Sequence, residues 1–227
     1  MSSSIPGHGM PAPGSGPRSA PVARISRSAL TANARAARAR GIHSFSPSIF
    51  EADAWGHGAE LVRSVLAAEQ FVPDPAARDT LSAASLLGLP GVAPGVTPAL
   101  RLTGTVLSVK DLRAGEGVSY GYAFRAPADT RVALVTGGYA QGIVRALGGA
   151  VDVSIAGEPH RIVGRVAMDV CVVEIRDAGV RRGDEVLFLG DPAAGEPSLG
   201  DWMDATDLQA AELITMIGLR AIREEAP

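Results

Sequence analysis

The sequence predicts a mainly β protein, in which a domain of many short strands over residues 99–227 follows a truncated β/α fragment over residues 22–98. Three observations carry this expectation. Val151, Val153 and Ile155 alternate with Asp152 and Ser154, the period-two pattern of a half-buried strand. Earlier, a strand, a loop and an amphipathic helix follow one another between Ser48 and Gln70, the repeating unit of a β/α barrel. Between the two patterns, residues 71–98 carry Pro73, Pro75, Pro90, Pro94 and Pro98 and permit only a short helix, around Ala76 to Leu87.

Taken in order, residues 1–21 are rich in Ser, Gly and Pro and cannot bury enough apolar surface to offset ordering, so they are expected to form a disordered tail. Val22 to Ile25 has the pattern of a strand. Ser26 or Ser28 can cap a helix through about Arg40, with Leu30, Ala34 and Ala37 on one stripe. A second strand is expected from about Ser48 to Ala54, ending in Gly56-His57-Gly58. The helix after it, Ala59 to about Gln70, turns Leu61, Val62, Val65 and Leu66 inward. In the β region strands are expected at Leu100 to Val109, Gly117 to Phe124, Arg131 to Val135, Val170 to Ile175 and Glu185 to Leu189. A turn around Gly157 joins the 151–155 strand to Arg161 to Val166 as a hairpin. A helix around Thr206 to Ile214 and a strand around Met216 to Arg223 close the chain.

Composition narrows the function classes. The chain is 46% hydrophobic with a net charge of only −3, which gives no electrostatic case for nucleic acid or an anionic membrane as partner. No stretch is apolar enough to span a bilayer, and the first residues lack the apolar core of a signal peptide, so a cytoplasmic location is expected. The single cysteine, Cys171, sits in an apolar run and has the character of a buried strand thiol rather than a reactive one. His8, His43, His57 and His160 lack ligand spacing, so no metal site is expected.

The most informative stretch is Phe50-Glu51-Ala52-Asp53-Ala54-Trp55-Gly56-His57-Gly58. It resembles the Val-Lys-Ala-Asp-Ala-Tyr-Gly-His-Gly signature of the alanine racemase family, with Glu51 in place of the lysine that holds pyridoxal phosphate. A carboxylate cannot condense with an aldehyde, and the only lysine in the chain is the distant Lys110. The β region is similar to that family's C-terminal domain almost end to end. Ser119-Tyr120-Gly121 matches Ser-Tyr-Gly, and 138–142 resembles Gly-Tyr-Ala-Asp-Gly with Gln141 in place of Asp. Residues 164–169 resemble Gly-Arg-Val-Cys-Met-Asp with Ala167 in place of Cys, and 220–223 match Arg-Val-Pro-Arg. Val22 to Arg38, with Leu30 and Asn33, resembles the family's opening strand and helix.

The resemblance also implies a deletion. A closed eight-fold β/α barrel needs roughly 200 residues or more, and only residues 59–98 separate the Gly-His-Gly loop from the β region. The family's phosphate-binding loop and cofactor arginines go with the barrel. Trp55 falls where a tyrosine reaches the phosphate, and Ala211 where another approaches cofactor and substrate. On the β side, Tyr139 matches the tyrosine to which the resemblance gives the role of second base, and Met168 the residue whose backbone amide helps hold substrate carboxylate. Each has a structural alternative: Tyr139 as a hydrogen-bonded remnant, Met168 as core packing, Asp169 as a turn cap and His57 as a loop stabiliser.

Three functional readings follow. In the first the chain is not a racemase on its own and acts through association, as a homodimer or in complex with a complete alanine racemase, with no cofactor of its own. In the second it is active in trans, Tyr139 completing the site of a full subunit that supplies lysine and pyridoxal phosphate for interconverting L- and D-alanine. The third is a decayed chain with a marginal fold.

Overall fold

The computed structural model describes residues 19–92 and 94–227. Of the tail expected over residues 1–21, residues 1–18 lie outside the described part. The chain enters through β1 (Val22–Ser26) and turns directly into α1 (Arg27–Ala39). Ser26 is the cap, its side chain accepting the Ala29 N–H at 3.1 Å. α1 buries Ala29, Leu30, Asn33, Ala34 and Ala37, one stripe at helical spacing. Buried Asn33 ties this helix to the Pro-rich segment, donating to the Leu86 and Thr97 carbonyls (2.9 and 2.8 Å) and accepting the Thr97 N–H (2.9 Å).

Little of a β/α barrel remains. Two stubs, β2 (Ser44–Phe45) and β3 (Val72–Pro73), pair in parallel, and Leu81 adds one more parallel bridge to Phe45. Around them lie α2 (Glu51–Trp55), α3 (Ala59–Ala68) and α4 (Ala83–Leu87). The helix expected over 76–87 forms only at its end. The Asp74 carboxylate captures the Ala76 and Ala77 N–H groups in a turn, and Ser82 caps α4 afresh at the Ser85 N–H.

The β region contains β4 (Leu100–Leu112), β5 (Gly117–Val118), β6 (Phe124–Arg125), β7 (Thr130–Thr136), β8 (Asp152–Ile155), β9 (Glu158–Val163), β10 (Val170–Glu174) and β11 (Glu185–Leu189). After these come α5 (Leu199–Thr206), α6 (Ala210–Arg220) and β12 (Ile222–Ala226). Six strands close a barrel in the order β4-β7-β10-β9-β8-β11 and back to β4, every pair antiparallel. β1 leaves this barrel along β4, antiparallel to it, and carries β12 in parallel on its far side. One continuous core runs from Ala23 through Leu102, Phe188 and Trp202 to Ile217, so the first segment and the barrel bury their apolar surface together.

Three expectations need correction. The strand over Ser48 to Ala54 is absent; a 3-10 turn (Pro47–Phe50) and α2 occupy those residues. The strand over Gly117 to Phe124 is broken into β5 and β6, because Ser119 (φ 68°) and Gly121 (φ 72°) fold the chain back on itself between them. The helix of 206–214 and the strand of 216–223 are replaced by α5, a break at Asp207 in left-handed conformation, and α6. A reciprocal cap between Gln209 and Glu212 starts α6, and Leu213, Ile214 and Ile217 bury one face of it. The run Ile214-Thr215-Met216-Ile217 suits either period, and packing decides for the helix.

Gly56 and Gly218 cross with their backbones in contact: a Cβ on Gly56 would lie 2.6 Å from the Gly218 Cα, and one on Gly218 would overlap the Gly56 carbonyl. Gly218→Ala is expected to destabilise the chain by about 1–3 kcal/mol through overpacking, seen as a lower urea midpoint with unchanged slope. Asn33→Ala leaves the buried Leu86 carbonyl and both backbone groups of Thr97 without this partner and is expected to cost about 1–3 kcal/mol. An unchanged midpoint for Asn33→Ala would show that the Pro-rich segment is not fastened through this side chain.

Candidate functional site

All three tyrosines of the chain lie on its surface, two of them about one arginine. The 3-10 turn Tyr139–Gln141 is fastened from both sides. Tyr139 and Ala140 donate their N–H groups to the Ala167 and Met168 carbonyls, each at 3.0 Å, and Gly137 donates to the Asp169 carbonyl at 2.9 Å. Gln141 accepts the Gly138 N–H through Oε1 and donates through Nε2 to Asp169 Oδ1, both at 3.0 Å. The 138–142 and 164–169 motifs are therefore one unit, with Asp169 bracing the turn. The replacement of a carboxylate by Gln141 suits this arrangement, since an amide can donate to Asp169 where a carboxylate could not.

A second tyrosine joins them. Gly164, at φ 69°, leaves the space that the Ser119 side chain fills, and Ser119 Oγ accepts the Arg165 N–H at 3.0 Å. This anchors the loop that carries Tyr120. The Arg145 guanidinium carbon lies 5.9 Å from the Tyr120 ring centre and 5.7 Å from that of Tyr139, within cation–π range of both. Tyr120 is 73% exposed, Tyr122 66% and Tyr139 41%. Met168 is 54% exposed, so its side chain is not the core packing that was open as an alternative. The structure thus brings together Tyr139 and Met168 and adds Tyr120 and Arg145. Sequence reading quoted Tyr120 only as part of a motif and passed over Arg145, although it stands three residues beyond Gly142, at the start of the next 3-10 turn (Arg145–Leu147).

Glu51 and Trp55 belong to a second turn. Ala52, Asp53, Ala54 and Trp55 all hold φ between 48° and 56°, a left-handed turn closed by the Gly56 N–H to the Ala52 carbonyl at 2.9 Å. For residues with a Cβ this costs roughly 1–2 kcal/mol each, so distant partners must hold it. Asp53 supplies them. Its carboxylate accepts the Ala59 N–H at 2.7 Å and meets Arg223 Nη1 at 2.6 Å, and these hold it below the usual carboxylate range. Arg223 also donates to the Gly56 carbonyl at 3.2 Å. His57 is 1% exposed, with Nδ1 on the Trp55 carbonyl at 3.1 Å and Nε2 without a partner, and burial lowers its pKa to about 4. Both turns rest on α6, where Gly56 meets Gly218 and Gly142 meets Ile217.

The donor set here does not fit pyridoxal phosphate. Glu51 is an exposed carboxylate at the start of α2, and Lys110, the chain's one primary side-chain amine, is exposed on β4 opposite Val132. Ala211, half-buried on α6, has no polar atom to offer a ligand. Cys171 is buried and its thiol is pushed up to about 12, which leaves it unreactive. Among the described residues no group of His, Cys, Asp and Glu could hold a metal, and no helix is long and apolar enough to cross a membrane.

Comparison with known proteins agrees with this division. The family described as "Alanine racemase, C-terminal domain" matches residues 99–225. An alanine racemase of Thermobifida fusca is 40% identical over 147 residues, 64% of this chain and 39% of that protein. One of Mycobacterium leprae is 42% identical over 131 residues, 57% of this chain and 34% of that protein. The chain therefore matches little more than a third of the length of these relatives. Among solved structures, an alanine racemase of Streptomyces coelicolor superposes with a TM-score of 0.77 at 20% identity, covering 91% of this chain and 98% of that one. That likeness concerns the fold. An alanine racemase of D-cycloserine-producing Streptomyces lavendulae gives a TM-score of 0.61 at 28% identity, covering 91% of this chain and 66% of that one. With the motifs of 119–121, 138–142, 164–169 and 220–223 all inside the matched span, the chain belongs to the alanine racemase family through its C-terminal β domain.

Proposed function

We propose that this chain does not racemise alanine by itself and acts by association, pairing with a second copy or with a complete alanine racemase subunit. One observation carries the reading: the tyrosine and arginine side of the domain is intact and projects outward, while the cofactor side has Glu51 where an amine is required. Exposed aromatic side chains beside an arginine are the composition of a binding surface. Location in the cytoplasm belongs to the same proposal.

The standing of Tyr120 and Tyr139 about Arg145 favours a second reading, activity in trans. Racemisation needs a base on each face of the α-carbon. A complete subunit would supply one with its cofactor, and this chain a phenol for the other. The resemblance assigned that role to Tyr139; the geometry favours Tyr120, which stands farther out on the same guanidinium. In this reading Tyr139 supports the arginine and Tyr120 reaches the partner's site.

Sedimentation of the purified chain, alone and with a complete alanine racemase, should show a dimer or a mixed complex; a monomer in both runs refutes association. For the reading in trans, the complete racemase is first inactivated by replacing its own β-domain tyrosine. Adding this chain should restore activity, with Tyr120→Phe reducing the restored rate by about 100-fold or more and Tyr139→Phe by less. No restored activity despite complex formation would leave association standing and remove the trans reading. The chain dialysed alone against pyridoxal phosphate is expected to stay colourless, and a visible aldimine band would overturn the assignment of Glu51 as a lost cofactor position.

A further inference from the structure

Residues 51–58 are held against their own local preferences. Four successive residues bearing Cβ atoms, Ala52 to Trp55, occupy the left-handed region, and each would leave it if unrestrained. Their restraints include the Asp53–Arg223 ion pair, the Ala59 N–H on Asp53, Arg223 on the Gly56 carbonyl, the Gly56–Gly218 crossing and the burial of the His57 ring. The pair is half-open to solvent, with side-chain exposures of 40% and 35%. Residues 51–54 fall within the stretch whose sequence predicts a strand, so extended backbone is the other conformation open to the start of this segment. His57 Nε2 is sealed inside without any hydrogen-bond partner, so the closed turn has no acceptor for a proton placed there.

We propose that residues 51–58 are a two-state latch, closed while His57 is buried as the neutral ring and Asp53 holds Arg223, and open when the ring takes up a proton and the turn relaxes to extended backbone. The charges around it do not rescue a protonated ring in the closed state. On the turn, Glu51 is exposed and Asp53 is committed to Arg223 and the Ala59 N–H. α3 brings Glu60 and Arg63, which pair with each other at 3.7 Å. α6 brings Glu212, which caps Gln209, and Arg220, exposed at its end. β12 brings Arg223, whose charge opposes protonation, with Glu224 and Glu225 paired to Arg24 and Arg27. The 3-10 turn Pro47–Phe50 brings no charge.

The direction of the pH effect follows from burial. The closed-state value of about 4 lies below the ordinary 6.5 that the ring regains in water. The closed state is therefore fully favoured above pH 6.5 and loses ground as pH falls from 6.5 toward 4. Asp53, also held low, keeps its charge over that range, so the ion pair does not titrate first. Between pH 7.5 and 5 the open fraction should rise roughly 30-fold.

Amide hydrogen exchange on the whole chain at pH 7.5 and 5.0, corrected for the intrinsic rate, reads this directly. Protection over 51–58 is expected to fall at least about 10-fold at the lower pH, while β4 and β7 keep theirs. His57→Gln should abolish the pH-dependent part, and Asp53→Asn should raise opening at both values. Unchanged protection over 51–58, or loss in step with β4 and β7, overturns the latch. If His57→Gln does not fold, imidazole NMR titration of the unaltered chain decides: the ring should titrate well below 6.5, and a ring that charges at its ordinary value while protection over 51–58 stays unchanged refutes the proposal.

Discussion

The fold depends on one strand doing two jobs. β4 is 13 residues long and changes neighbours along its length. Leu100 to Thr103 lie beside β1, Leu102 to Thr105 beside β11, and Val106 to Leu112 beside β7. The change of partners falls at Gly104, where a Cβ would lie 2.5 Å from the Thr136 carbonyl and 2.7 Å from the Phe188 ring. Thr136 Oγ1 accepts the Thr105 N–H at 2.8 Å in the same place, and the register shifts just beyond, between Val106 and Ser108. Without a residue lacking a side chain there, β7 and β11 could not both approach β4. The barrel would lose its closing seam, and with it the frame that holds the tyrosine-bearing turns.

The two candidate turns differ in what holds them. The tyrosine turn is fixed by backbone hydrogen bonds to residues 167–169, which survive most side-chain changes. Its geometry belongs to the barrel. The turn of 51–58 depends on side chains far away in sequence, Arg223 above all. Arg223 ties it to β12, so the segment retains a structural place even with Glu51 in the position of a cofactor lysine. Glu51 in that position removes nothing that Asp53, Gly56 and Gly218 contribute to packing.

Period and turn chemistry made most of the barrel legible in sequence. Alternation located β8, and the β8–β9 hairpin turns at Ala156 and Gly157, both with positive φ, where glycine had been noted. The capping serine before α1 was equally readable, because a cap is a local interaction. What escaped was set by long-range contact. Nothing near Ala52 to Trp55 announces a left-handed turn, since its causes lie at residues 218 and 223. Likewise the motif-bearing residues of the candidate site could be named singly, whereas the convergence of Tyr120 and Tyr139 on Arg145 requires the loops to be folded.

The parallel pairing of β1 with β12 places Val22 opposite Ile222 on one side and opposite Thr103 on the other. On a ribosome the first of these strands emerges well before its outer partner. β1 can therefore dock on β4 during synthesis but must wait, with one row of backbone N–H and C=O groups unpaired, until β12 has been made. Through that interval the nascent protein carries an open strand edge, a natural point of contact for chaperones and for other nascent chains. Completion of the sheet is in this sense deferred, written into the order in which its strands are made.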